Sequence, residues 1–108
     1  MSGDLGGLGR FAEPSLLILV SLSDKPRHGY AIMTDVEELS GTPLGPGTLY
    51  AALARLEARG LIEALLADDR RRPYRITAAG VQALRTQLVG IESVVRAGLT
   101  RLDGPADA

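Results

Sequence analysis

The stretch Leu44–Gly60 predicts one short helix, because both its beginning and its end are marked in the sequence. Pro46 suits the first helical position, where φ is preset and no backbone donor is needed, and Gly45 before it is an acceptable N-cap. Gly60 suits the left-handed residue that ends a helix. An apolar stripe at i, i+4 and i+7 is formed by Leu49, Leu53 and Leu56.

The residues off this stripe are small, polar or basic, and they are predicted to face outward: Thr48, Ala51, Ala52, Arg55 and Arg59. A short helix with such an outer face fits a DNA major groove. Any cationic surface helix has the same composition, however. The flanking segments therefore have to distinguish the two interpretations.

Two further helices are predicted before this one. An apolar run follows Pro14, and its side chains surround the helix almost completely, so it predicts a buried helix that is too short to span a bilayer. Residues 28–40 combine apolar side chains at helical spacing with an acidic opposite face, and Gly41 ends them. Two helices joined by a short turn, the second with a basic outer face, indicate a helix-turn-helix.

The pattern changes after Gly60. Residues 61–66 are compatible with a strand, residues 67–73 are a charged turn, and residues 74–77 alternate as a second strand. A hairpin with a basic turn that directly follows a helix-turn-helix is the winged-helix arrangement, in which the hairpin, here residues 61–77, is the wing. We therefore predict a mainly α protein with a small β-hairpin: a flexible N-terminus at 1–12 and a winged helix-turn-helix domain at 13–77.

The last helix is predicted to begin with Thr77 as its N-cap and to run to about Leu102. Its apolar residues alternate in spacing between three and four, which is a heptad seam with one glycine: Val81, Leu84, Leu88, Ile91, Val95, Gly98 and Leu102. A helix of about 25 residues is ~38 Å long, more than so small a domain covers by itself. We expect residues 78–103 to form a dimerisation helix, assisted by Leu16 and Leu19 of the first helix, and residues 104–108 to form a tail.

Charge is distributed unevenly along the chain. The formal net charge is −1, so a basic footprint is missing at the level of the whole chain. Between Gly47 and Arg75, however, six arginines stand against four acidic residues. Because association with DNA depends on the surface that faces it, this local excess is compatible with DNA binding.

The composition argues against an enzyme. With one histidine, no cysteine, no suitably spaced pair of acids and no phosphate-binding glycine motif, there is no set of groups from which to assemble a catalytic site. The lack of cysteine also excludes disulfides and zinc fingers, and it favours the cytoplasm. We expect no cofactor, no metal and no membrane association.

Several side chains are candidates for contact with DNA. Thr48 lies in the first turn of the Pro46 helix, where a hydroxyl and free amides bind phosphate. Tyr50 either donates its hydroxyl to a phosphate or packs under the wing or on a partner subunit. Arg55 reaches a guanine edge or a phosphate, whereas Arg59 either contacts DNA or stays solvated or ion-paired.

The wing and the single histidine also leave alternatives open. Three consecutive arginines, Arg70, Arg71 and Arg72, either contact the DNA backbone or remain a solvated loop. His28 either caps the second helix or bonds the backbone, with contact to a DNA phosphate as the second option.

Three motifs resemble the PadR family of transcriptional regulators. They are HGY at 28–30, PGTLY at 46–50 with Leu53, Arg55, Leu56 and Gly60 behind it, and RPYRIT at 72–77 leading to Gly80. The resemblance covers residues 16–88. It implies a homodimeric winged-helix repressor that is released from its operator by a small effector, and two-fold symmetry implies a palindromic operator in double-stranded DNA. The DNA interface is then expected to contain His28, Pro46, Gly47, Thr48, Tyr50, Arg55, Arg59, Arg70, Arg71 and Arg72.

Two further expectations complete this interpretation. An effector is expected to bind in the cleft between subunits, lined by the first and last helices, because pockets favour such interfaces. The alternative function is a winged helix that uses the same surface to bind a protein, without specific DNA binding.

Overall fold

The computed structural model describes residues 13–66 and 71–104. In chain order, the elements are α1 (Pro14–Ser21), β1 (Arg27–His28), α2 (Gly29–Ser40), α3 (Pro46–Ala58), β2 (Ile62–Ala64), β3 (Pro73–Ile76) and α4 (Ala78–Leu102). This order confirms the predicted fold class, a winged helix-turn-helix followed by one long helix. The expected flexible N-terminus at 1–12, wing residue Arg70 and tail residues 105–108 lie outside the described residues.

The ends of the helices follow the signals in the sequence. Helix α3 begins at Pro46 after an extended Gly45, and Gly60 just beyond it has a φ of 74°. Helix α2 ends at Gly41, which also has a φ of 74°. The hydroxyl of Thr77 caps α4 by accepting a hydrogen bond from the backbone N–H of Gly80 at 3.0 Å. The predicted beginnings and ends of α3 and α4 are therefore confirmed.

The sheet has three strands, one more than the predicted hairpin. Strand β3 lies in the middle and pairs antiparallel with β2, with Ile62 opposite Ile76, and with β1, with His28 opposite Pro73. Strand β1 is only two residues long, so it has no alternation that a sequence pattern would reveal. Its pairing draws the beginning of α2 to the base of the wing.

The core is built from aliphatic side chains. All four helices and β2 contribute buried residues: Ile18, Leu19, Leu22, Ile32, Val36, Leu49, Ala52, Leu53, Leu56, Ile62 and Leu84. The leucine stripe predicted for α3 is therefore confirmed. The prediction that Ala52 faces outward is wrong: it is 0% exposed, because its position three residues after Leu49 and four before Leu56 places it on the buried side.

Helix α4 lies partly on the core and partly beyond it. Gly80 and Leu84 in its first turns are buried, and Ile91 is half-buried. Every residue from Glu92 to Asp103 is exposed. The second half of α4 therefore projects from the body, and the molecule extends 62 Å along its longest axis. Across 13–66 and 71–104, no helix is both long and apolar enough to cross a membrane.

Arg27 fixes the connection between α1 and α2. Its guanidinium donates to the carbonyl oxygen of Ser21 at the end of α1 and to Oδ1 of Asp24 at 2.8 Å. The hydrogen bond from Arg27 lowers the pKa of Asp24 below its usual value, and the positive charge of Arg27 acts in the same direction. A second carboxylate oxygen, Oδ2 of Asp35 on α2, lies 4.0 Å from the same nitrogen. One arginine thus holds the residues before β1 against both helices.

Helix α4 lies close to the sheet at Gly80. A Cβ added there would overlap the carbonyl oxygen of Leu61 and lie 2.7 Å from Cγ1 of Ile76. We predict that Gly80→Ala destabilises the protein by about 1–3 kcal/mol, since one of the overlapping atoms belongs to the backbone and moves only with the chain. Urea unfolding followed by circular dichroism measures this change.

Gly90 provides the matched control, because it lies in the same helix and a Cβ there meets no atom within 4 Å. Gly90→Ala is expected to increase stability by up to about 1 kcal/mol through helix propensity. Equal stability of the two variants would contradict the close approach at Gly80.

Candidate nucleic-acid interface

The outermost face of α3 is made of small residues. Gly47, Ala51, Ala54 and Ala58 are exposed, and helical geometry places them opposite the buried leucines. The larger polar side chains of α3 lie to either side of this face. The backbone of α3 is therefore the part of the helix that a flat or grooved partner can approach most closely.

One flank of α3 carries Thr48, Arg55 and Arg59, which recur at i, i+7 and i+11 and are all exposed. Arg55 and Arg59 also line an open groove of about 920 Å³, whose other walls are α1 and α4. Leu16 and Ile91 lie in the same groove. The two arginines thus occupy the edge of α3 that faces the first and last helices, away from the wing.

The other flank of α3 faces the wing across a second open cleft of about 800 Å³. It lies where the beginning of α2, α3 and β3 meet. Its walls include all three tyrosines of the chain and three basic side chains: Tyr30, Tyr50, Tyr74, His28, Arg71 and Arg72. Two acidic residues of α2, Asp35 and Glu38, line the same cleft. The structure therefore brings the predicted residues His28, Tyr50, Arg71 and Arg72 together.

Tyr30 was not among the predicted site residues, yet it is 72% exposed in this cleft. Tyr30 lies within residues 28–40, whose apolar side chains at helical spacing predicted a buried face that included it. Its position two residues before the buried Ile32 places it on the opposite side of the helix. That offset was the signal available in the sequence.

His28 occupies the N-cap position of α2, but its side chain makes no capping hydrogen bond. His28 therefore stands at the predicted cap position without a capping bond from its imidazole. Its Nε2 lies 3.4 Å from Nη1 of Arg71, because the pairing of β1 with β3 places His28 opposite Pro73, two residues after that arginine. The histidine thus faces the wing.

The arginines of the wing differ in their surroundings. Arg71 and Arg72 are exposed, and the third predicted member, Arg70, lies outside the described residues. Arg75 in β3 forms a cross-strand ion pair with Glu63 of β2, with 2.9 Å between Nε and Oε2. Its charge is therefore matched within the sheet, which leaves Arg71 and Arg72 as the basic side chains that face the cleft from the described part of the wing.

Tyr74 lies deepest among the three tyrosines, and its environment shifts its pKa. Burial raises the pKa of Tyr74 above its usual value of 10.0, and the negative charge of Glu57 on α3 raises it further. The positive charge of Arg72 acts in the opposite direction. The phenol of Tyr74 is therefore influenced by α3 on one side and by the wing on the other.

The predicted dimerisation residues divide into two groups. Val81, Leu88, Val95 and Leu102 recur every seven residues along α4 and are 40%, 42%, 48% and 83% exposed. Leu19 and Leu84, by contrast, are 6% and 5% exposed and belong to the chain's own core, so we correct their assignment from interface to core. Leu16 and Ile91 are half-buried beside the α1–α4 groove.

Within 13–66 and 71–104, no three His, Cys, Asp or Glu side chains are grouped closely enough to hold a metal ion.

Residues 18–86 match the transcriptional regulator PadR-like family. A transcriptional regulator of Mycobacterium tuberculosis is 42% identical over 88 residues, which cover 79% of this chain and 81% of that protein. An uncharacterised 37.1 kDa protein encoded in a transposon of Streptomyces fradiae is 46% identical over 78 residues, or 72% of this chain, but the match spans only 23% of that protein. The crystal structure of a PadR family transcription regulator from Clostridium difficile is similar, with 28% identity, a TM-score of 0.74, and coverage of 82% of this chain and 97% of that one.

The pKa of Tyr74 provides a test of the cleft. Since the chain has three tyrosines and no tryptophan, the ultraviolet absorbance of tyrosinate follows their titration directly, and Tyr74→Phe identifies the contribution of Tyr74. We predict that Glu57→Gln lowers the pKa of Tyr74 and that Arg72→Gln raises it, because each removes a charge that acts on the phenol. Glu92→Gln, on the projecting half of α4, is the control and is expected to leave the titration unchanged. Shifts of the same sign in both test variants would contradict this arrangement.

Proposed function

Because this chain belongs to the transcriptional regulator PadR-like family, we propose that it is a homodimeric repressor that binds a specific DNA operator through α3 and the wing. The observation that carries the proposal is the form of the exposed side of α3. A face of glycine and alanine lies between a flank with Thr48 and Arg55 and a flank that opens towards Tyr50 and the wing. In the proposed complex, α3 lies in the major groove.

The small outer face of α3 suits close contact with bases. Alanine methyl groups pack against the methyl group of thymine, and short side chains let the helix backbone approach the floor of the groove. Arg55 then lies at the side of the DNA major groove, within reach of a guanine edge or of the neighbouring phosphates. Thr48 and the free amides of the first turn of α3, which begins at Pro46 and Gly47, suit a phosphate.

The wing is proposed to hold the adjacent backbone of the duplex. Arg71 and Arg72 are exposed and carry no ion-pair partner among the described residues. Phosphate contacts of this kind position a protein on DNA and supply affinity that does not depend on sequence. Tyr30, Tyr50 and His28 lie beside them in the cleft and offer hydroxyl and imidazole groups to the same strand.

The second half of α4 supports the proposed homodimer. Its apolar side chains at heptad spacing are exposed on a helix that projects from the subunit, and such a seam is covered when a second copy packs against it. A two-fold axis through the paired α4 helices presents two α3 helices to one face of DNA. The proposed operator is therefore palindromic, with half-sites about one helical turn, ~34 Å, apart.

The groove between α1 and α4 is the proposed effector site. It is lined by apolar side chains of both helices, and Arg55 and Arg59 of α3 reach into it. A small molecule bound there contacts the DNA-reading helix and the dimerisation helix together. Release of the operator then follows if the effector favours an arrangement of α3 that does not fit two successive half-sites.

We predict that the double variant Arg71→Ala and Arg72→Ala weakens binding to the DNA upstream of the protein's own gene. Because the lost contacts are with phosphates, the loss is expected for all sequences alike, and the slope of log K against log salt is expected to fall by about 2. Mobility-shift titrations at several salt concentrations measure both quantities.

The double variant Arg96→Ala and Arg101→Ala is the matched control, since it removes the same charge from the projecting half of α4. It is expected to retain the wild-type salt slope. If the wild-type protein shows no specific DNA binding even at low salt, the result favours a winged helix that binds a protein partner.

We also predict that Leu88→Asp produces monomers, because it places a charge in the middle of the exposed heptad seam. Light scattering is expected to give twice the 11.4 kDa chain mass for the wild type and the single mass for the variant, with reduced operator affinity. Ser93→Asp adds the same charge on the opposite side of α4 and is expected to stay dimeric. A dimeric Leu88→Asp would rule out the seam.

A further inference from the structure

The first residue of α2 is packed against a side chain of α3. Gly29 is buried, and a Cβ added to it would lie 2.5 Å from the hydroxyl oxygen of Tyr50 and 3.1 Å from Cζ of the same ring. The tyrosine hydroxyl therefore occupies the space that any side chain at position 29 would take. Among the described residues, and leaving aside its chain neighbours and the backbone of α2, the three atoms nearest to that Cβ position all belong to Tyr50.

The backbone does not require glycine at this position. The described glycines with a positive φ are Gly41 and Gly60, so Gly29 has a conformation that alanine also adopts. Alanine is moreover the better helix former. The contact with Tyr50 is therefore what distinguishes glycine from alanine at position 29.

The group that would have to yield is Tyr50, not α2. Its hydroxyl is the tip of a side chain that is 53% exposed, whereas Gly29 belongs to a helix whose next turn contains the buried Ile32. A methyl group at position 29 would thus push the phenol outward and leave the fold intact. The same tyrosine lines the cleft with Arg71 and Arg72, so its displacement alters that surface.

We propose that Gly29 is a positioning residue of the DNA interface: its missing side chain lets the Tyr50 hydroxyl pack against the beginning of α2, and this contact sets where the hydroxyl meets DNA. The inference rests on the proposed function, since it assigns Tyr50 a contact with the operator backbone. Gly29 itself touches no DNA in this proposal. It acts through Tyr50.

The test combines Gly29→Ala, Tyr50→Phe and the double variant in mobility-shift titrations with the wild-type operator fragment. Tyr50→Phe removes the atom nearest to the new methyl group and leaves ring carbons at 3.1 and 3.3 Å, so the double variant is relieved of the severest overlap. We expect Gly29→Ala and Tyr50→Phe each to lose about three- to tenfold in affinity, the range of one ordinary hydrogen bond. The double variant is expected to lose no more than Tyr50→Phe alone.

Two further measurements separate positioning from folding. Thermal unfolding is expected to show Gly29→Ala at least as stable as the wild type, as for the helix control Gly90→Ala. In NMR spectra, the Tyr50 ring resonances, identified with Tyr50→Phe, are expected to shift in Gly29→Ala and to stay in place in Gly90→Ala.

The outcomes are distinguishable. A wild-type protein that binds no operator overturns the proposed function and this inference with it. Wild-type affinity in Gly29→Ala, or additive losses in the double variant, overturns the inference alone. If Gly29→Ala fails to fold, the double variant decides. A double variant that folds and binds the operator with the affinity of Tyr50→Phe supports the contact between Gly29 and Tyr50. A double variant that also fails to fold overturns the inference, because glycine is then needed at position 29 for folding and not to place Tyr50.

Discussion

The junction at Thr77 connects the elements on which every functional proposal depends. Its hydroxyl donates to the carbonyl oxygen of Gly60 at 2.7 Å and accepts from the N–H of Gly80 at 3.0 Å, while its own N–H donates to the carbonyl oxygen of Leu61 at 3.0 Å. The turn after α3, the end of β3 and the first turn of α4 thus meet at Thr77. The close approach of Gly80 to Leu61 leaves no space between them.

This junction has a consequence for the proposed dimer. Helix α4 carries the exposed heptad seam, and α3 carries the exposed small face. Thr77 bonds both Gly60, just beyond α3, and Gly80, in the first turn of α4. A tight joint of this kind transmits the orientation of α4 to α3, since packed interfaces have discrete arrangements and do not deform continuously. In the proposed dimer, the separation of the two α3 helices would then follow from how the α4 helices pair, and the proposed effector between α1 and α4 would act on that separation.

Local sequence signals predict much of this fold, but they do not predict which side chains line each cleft. Pro46, Gly60 and Thr77 mark helix ends by their own backbone and side-chain chemistry, so the sequence was sufficient for α3 and α4. Strand β1 was not predicted, because a strand of two residues shows no alternation of apolar and polar side chains. Its pairing with β3 turns His28 towards Arg71. The division of α3 into a flank facing α1 and α4 and a flank facing the wing likewise depends on how the helix sits on the core. A helical pattern distinguishes buried from exposed, but it does not say which neighbour an exposed side chain faces.

The acidic residues beside the wing bear on how a chain with a net charge of −1 would recognise DNA. Asp35 and Glu38 line the same cleft as Arg71 and Arg72, so the basic surface is narrow and bordered by negative charge. A narrow surface attracts any duplex only weakly, because non-specific affinity grows with the number of phosphates neutralised. In the proposed complex, binding then depends on α3 fitting the groove closely enough to bring the few basic groups into contact. Selectivity would arise from the shape of the small outer face of α3 and from the fixed spacing of two subunits, and less from the total charge.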